Sequence, residues 1–244
     1  MRSLAVGLVT AVVLVSIAVL VPGTLPPEVR DGLGLGPSPL GQAPRVTGDG
    51  TYRFLQHQPG DKNAPVTYNP CEPIQVEINP EGVEDEDQAR DIVLSAMKRV
   101  SAATGLRLQY AGPSNDRPRW RSRTEPVLGR TEPVLFSFAT SDEVSELEGE
   151  VAGVGGSASV QRQGLRTYVT GQVTLDATTF DDFVEERRGE DVARAIAMHE
   201  LGHLVGLAHV DDERELMDAR NHGQLDFGPG DRKGLARLGR GPCT

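Results

Sequence analysis

His199, Glu200, His203, Gly206 and His209 fall in one eleven-residue stretch, His199-Glu-Leu-Gly-His203-Leu-Val-Gly206-Leu-Ala-His209. If the first part is helical, His199 and His203 stand one turn apart and their imidazoles leave the same face. They can then fill two corners of a tetrahedral zinc site. Glu200 is offset by one position, so its carboxylate lies beside a metal without ligating it and can act as a general base toward water. Gly206 permits the backbone to leave the helix and turn back, bringing His209 in from another direction as a third nitrogen ligand. Three protein ligands leave one position open, the arrangement of a catalytic zinc site; a structural site fills all four. The chemistry this permits is metal-assisted hydrolysis. Glu200 takes a proton from water and returns it to the leaving group.

These residues need a helix and a scaffold. Ala193, Ile196, Ala197, Leu201 and Leu204 give the helix an apolar face, and the pattern predicts that it starts near Asp181 with an interruption at Gly189. Upstream, Ile74, Val76 and Ile78 alternate with polar residues as in a half-buried strand. Ala89, Ile92, Val93, Ala96, Met97, Val100 and Ala103 recur at helical spacing up to Gly105. Strands are expected at Leu106 to Tyr110, Val134 to Ala139, Val151 to Val160 and Thr167 to Asp176, with a last short helix from Asp231 to Leu238. The stretch from Gly112 to Arg130 reads as an exposed loop. It contains a local duplication, Arg123-Thr-Glu-Pro-Val-Leu128 repeated as Arg130 to Leu135, too short to make a repeat architecture.

With 35 acidic against 25 basic residues and a net charge of −10, the chain has no clustered basic footprint for nucleic acid. From Leu4 to Val21 the only polar side chains are Thr10 and Ser16, preceded by Arg2. The run suits a signal anchor by its length, a cleaved signal peptide being the alternative, and either places the rest outside the cytoplasm. Residues 1–22 are therefore read as that segment, 23–66 as a stalk rich in Pro and Gly, and 67–244 as the catalytic domain. Tyr52, Phe54 and Leu55 are apolar enough to pack on the domain. The two cysteines, Cys71 and Cys243, are expected to pair in an oxidising compartment. The alternative is a free Cys71 that blocks the metal as a thiolate.

The run His199 to His209 resembles the metzincin motif, and the residues after it resemble the matrixin branch. Asp212 and Met217 follow the third His as they do in matrixins, and Asp231 to Gly239 is similar to the matrixin terminal helix. The resemblance implies an α+β fold: a mixed twisted sheet, an active-site helix, a Met-turn at Met217 beneath the zinc, and a C-terminal helix. It implies a zinc endopeptidase acting on protein or peptide substrates; the apolar run places it outside the cytoplasm, anchored more readily than secreted, and a monomer is expected. Ala219 stands two residues after Met217, where no tyrosine is available as an extra ligand. Outside the motif only His57 and His222 remain, too few for the second, structural zinc of many matrixins, so one zinc is expected and calcium is left open. In metzincins an exposed edge strand binds the substrate backbone. Gly153, Gly155 and Gly156 suit close backbone approach there, or else mark a flexible surface loop.

Overall fold

The computed structural model describes residues 36–120, 132–220 and 222–244. Residues 1–38 form one unit, of which only 36–38 are described, and residues 39–244 form a second. The apolar run Leu4 to Val21 and the first copy of the duplicated hexapeptide lie outside the described residues. Among the described residues no helix is long and apolar enough to cross a membrane.

The second unit is α+β. Its short leading strands are β1 (Arg53–Phe54), β2 (His57–Gln58), β3 (Asp61–Pro65) and β4 (Thr67–Tyr68). Then come β5 (Ile74–Asn79), helix α1 (Glu86–Thr104), β6 (Leu108–Pro113), β7 (Val134–Ala139), a 3-10 turn (Ser145–Leu147), β8 (Gly153–Arg162) and β9 (Leu165–Asp176). Helices α2 (Ala177–Val184) and α3 (Gly189–Val205), strand β10 (Leu207–Ala208) and helix α4 (Pro229–Leu238) complete the order. The six-stranded sheet runs β4-β9-β7-β5-β6, all parallel, with β8 antiparallel on β9. Because β8 follows β9 from Leu165 to Leu175, β4 and β7 lie end to end along the other side of β9. The outer edge of β8 is left unpaired among the described residues.

Helix α1 forms where its periodicity predicts. Asp85 caps it by accepting from the Gln88 amide at 2.9 Å, and Gly105 ends it at φ 79°. Its buried residues are Ala89, Ile92, Val93, Ala96, Met97 and Val100. They join Val76, Ile78, Phe136, Phe138, Val173 and Leu175 from the sheet and Ala197, Met198 and Leu201 from α3 in one core.

Three expectations change. The helix expected from Asp181 starts earlier, at Ala177, and its expected interruption at Gly189 is a break between two helices: Arg188 turns at φ 67°, and a Cβ at Gly189 would overlap the Phe183 carbonyl. The loop expected over Gly112 to Arg130 covers the sheet's second face as far as Trp120. Arg117 donates to Glu143 and to the carbonyls of Glu81 and Phe138, and Trp120 Nε1 donates to Thr174 Oγ1 at 3.2 Å. The stalk read over 23–66 is docked from residue 39 onward. Tyr52 and Phe54 are half-buried, Val66 is fully buried, Leu55 stays exposed, and β1 pairs with β10. Strands of two residues have no readable period, which is why composition speaks for a stalk. Cys71 and Cys243 are disulfide-bonded with Cα atoms 5.4 Å apart, tying the entry of β5 to the chain end, where Asn69 also donates to the Thr244 carbonyl at 2.8 Å.

Candidate active site

The last two turns of α3 carry His199, Glu200 and His203. The helix stops at Gly206, whose φ is 122°, and a Cβ there would come within 3.1 Å of both Leu238 and Tyr168. Glycine is thus required for conformation and for space. Strand β10 then leads to His209, held by pairing of Arg53 with Ala208 and Phe54 with Leu207 and by a Leu55 N–H bond to the Gly206 carbonyl at 2.9 Å.

His209 Nε2 lies 3.0 Å from both His199 Nε2 and His203 Nε2. The other ring nitrogens are committed: His199 Nδ1 meets the Leu216 carbonyl at 2.7 Å, and His203 Nδ1 meets the Leu207 carbonyl at 2.8 Å. A carbonyl only accepts, so both Nδ1 atoms carry the proton and both Nε2 atoms present lone pairs. Burial first, then the neighbouring imidazoles, hold His199 down to about 3, while burial holds His203 down to about 4 and also lowers His209. His199 and His203 thus aim two Nε2 lone pairs at His209 Nε2, and the three ring nitrogens converge as a metal-ligand set does. Zinc fits this set: with Zn–N bonds of about 2.0–2.1 Å, ligand nitrogens in a tetrahedron lie about 3.3–3.4 Å apart.

Glu200 is buried beside this cluster, 7% exposed. Burial alone pushes its carboxyl up to about 8. Met217, 1% exposed, lies under α3: a Cβ on Gly202 would come within 2.7 Å of its sulfur. Asp212 accepts from Thr51 Oγ1 at 3.2 Å and from Arg214, which holds its carboxyl well below the usual range.

Two acids that no sequence motif marks as site residues are buried behind the Met-turn. Glu215, 1% exposed, accepts from the amides of Gly230 and Asp231 at 2.9 Å. Asp231, fully buried, accepts from Leu216 N at 2.6 Å and Gly228 N at 3.0 Å, both on the same oxygen, Oδ2. Each side chain thus bonds the backbone beside the other. This clasp holds the backbone N–H of Leu216, the residue whose carbonyl meets His199 Nδ1. Burial first, and Glu215 as well, push Asp231 up to about 6. In the sequence Glu215 looks like any surface charge, and nothing marks it as buried.

The three candidate glycines divide. Gly153 and Gly155 turn toward α3 and abut Glu200, whereas a Cβ on Gly156 would meet only Trp120, at 3.7 Å. The smallness of Gly153 and Gly155 therefore serves packing of β8 on α3. A cavity of about 700 Å³ lies at the other end of the β8–β9 hairpin, against Tyr68, Ile74, Val134, Leu165 and Cys243, and includes none of the three histidines.

Comparison with known proteins agrees with this geometry. Residues 132–238 match the matrixin peptidase family, a span from the start of β7 to the end of α4 that includes all three histidines, Glu200 and Met217. Among solved structures, archaemetzincin from Methanopyrus kandleri is similar at 15% identity and a TM-score of 0.45, over 67% of this chain and 93% of that one. No curated protein matches the chain. The three histidines, Glu200, Met217 and the terminal helix all lie inside the matched span, so over this part of its length the chain is similar to the matrixin zinc metalloproteases.

Proposed function

We propose that the protein is an extracytoplasmic zinc endopeptidase in which His199, His203 and His209 hold one zinc ion and Glu200 is the general base. The observation that carries this reading is the convergence of three imidazole nitrogens, from His199, His203 and His209, next to the buried side chain of Glu200. When bound there, zinc supplies a Lewis acid that makes water acidic and polarises a scissile carbonyl. Glu200 takes a proton from the attacking water and delivers it to the departing amine nitrogen. Its environment suits both proton transfers, since burial raises its proton affinity and a neighbouring cation lowers it again. His199 and His203 are kept in the tautomer that presents Nε2 by the Leu216 and Leu207 carbonyls.

The free edge of β8 supports a backbone track, on which an extended peptide adds as a further strand and passes the Glu200 side chain. Export is supported by the apolar run Leu4 to Val21 and by the bonded cysteines. The same run supports a retained anchor, and the chain is taken to act as a monomer.

Glu200→Gln and His203→Ala test the assignment together. Glu200→Gln is expected to retain zinc and to lose about 10²–10⁴ in casein cleavage, whereas His203→Ala loses zinc and activity together. Near wild-type cleavage by Glu200→Gln refutes the base; a wild type that binds zinc and cleaves nothing refutes the enzyme.

A further inference from the structure

Strand β8 meets α3 through residues that alternate along it: Gly153, Gly155 and Ser157. A Cβ on Gly155 would overlap the peptide carbonyl of Glu200, with its carbon 2.9 Å and its Cα 3.1 Å away. A Cβ on Gly153 would lie 2.9 Å from Glu200 Cγ and 2.7 Å from Leu175 Cδ2. Ser157 Oγ donates to the Leu204 carbonyl at 2.7 Å, one helical turn further on. Neither Gly153 nor Gly155 has a positive φ, so other residues could adopt this backbone and only space excludes them. The strand and the helix are therefore in direct contact at the residue that carries the base.

We propose that Gly153 and Gly155 are positioning residues, which set the distance between the free edge of β8 and the Glu200 carboxylate, and so between a bound peptide bond and its base. The inference rests on the metalloprotease reading above. A peptide held by main-chain bonds to β8 travels with that strand, whereas Glu200 and the histidines travel with α3. A Cβ at Gly155 meets backbone that cannot rotate away. Restoring ordinary contact needs β8 to withdraw by roughly 1 Å, a displacement that typically costs about 10² in rate when it separates reacting groups. Binding to β8 itself is kept, so kcat falls and KM does not.

Gly189→Ala is the control. It also collides with backbone, that of Phe183, and on the same helix, but at the end away from Glu200. The experiment measures zinc content, melting temperature, kcat and KM for a peptide substrate in wild type, Gly155→Ala, Gly153→Ala and Gly189→Ala, with a crystal structure of Gly155→Ala. The expected result is full zinc content in all, a kcat for Gly155→Ala down about 100-fold with KM within a few-fold, and β8 displaced from α3. Gly189→Ala should lose stability and keep its kcat. The inference is overturned if Gly155→Ala keeps the wild-type kcat, or if Gly189→Ala loses as much. Should Gly155→Ala not fold, Gly153→Ala decides, because its Cβ meets movable side chains; if that variant is also unfolded, or is fully active, the contact is structural only and the inference fails. A wild type with no chelator-sensitive cleavage overturns the metalloprotease reading itself, and this inference with it.

Discussion

Replacing Asp231 by Asn should change the pH dependence of stability in a direction that the clasp fixes. The Leu216 and Gly228 amides bond the same oxygen, Oδ2, Oδ1 has no hydrogen-bond partner, and the Met217 amide also favours the charged form. The Asn carbonyl can therefore keep both bonds while its NH2 occupies the place of Oδ1. What is lost is the titratable charge. Burial and Glu215 raise the folded Asp231 from 3.8 to about 6, so the folded protein holds this proton more tightly than the unfolded chain does. The stabilising contribution is complete below pH 3.8 and is lost as pH rises through about 6. At 1.36 kcal/mol per pH unit the loss is about 3 kcal/mol. The buried NH2 costs the variant about 1–3 kcal/mol, but at every pH alike. In urea unfolding at fixed zinc concentration, the stability of the variant minus that of the wild type should therefore rise by about 2–3 kcal/mol between about pH 4 and pH 7.5. Titration of groups that do not interact with Asp231 is shared and cancels. A difference that is flat over this range, or that falls, refutes the buried-charge account of the clasp.

Three further outcomes are expected. Intact-mass analysis under denaturing conditions should find no alkylatable thiol before reduction, and Cys71→Ser with Cys243→Ser should cost about 2–5 kcal/mol; two free thiols would exclude the bond. A chain starting at Thr67, where the sequence alone places the domain, lacks the β1 strand that pairs beside His209; its zinc affinity in a chelator competition should be about 10-fold or more below that of a chain starting at Gly36, and equal affinities would show that β1 does not support the ligand strand. The native protein should sediment with membranes and resist alkaline extraction; a soluble mature chain beginning near Val19 or within 23–66 would refute anchoring.

The parts of this site that are legible in the sequence are those governed by local geometry. His199 and His203 share a helical turn whatever surrounds them, Gly206 punctuates the chain by its own conformational freedom, and the apolar steps of α1 recur at the helix period. What is not legible depends on contacts between distant segments. Glu215 is an acid in an acidic chain until the amides of Gly230 and Asp231 close over it. Tyr52 and Phe54 sit in a Pro- and Gly-rich stretch without period, and their place follows only from the existence of β10 as a partner. The glycines of β8 suggest small residues near a substrate, yet it is α3 that needs them small.

A common cause links these cases. Each of the three metal-facing imidazoles is controlled by backbone that belongs to another segment or to the turn beyond its own: His199 by the Leu216 carbonyl, His203 by the Leu207 carbonyl, His209 by the pairing of β10 with β1. Two of these supports pass through one further layer, since the Leu216 N–H is held by Asp231 and β10 by Phe54 and Leu55. An outer support of this kind typically changes metal affinity by about 10- to 100-fold, so the short ligand motif alone does not set how tightly the ion is held. That quantity resides in the Met-turn clasp and in the segment leading into the domain, whose residues are unremarkable one by one. A variant that damages either should therefore lose zinc while its histidine motif is intact, whereas a variant at Gly155 should keep zinc and lose turnover, because the strand it moves carries none of the three histidines and is the one proposed to hold the peptide.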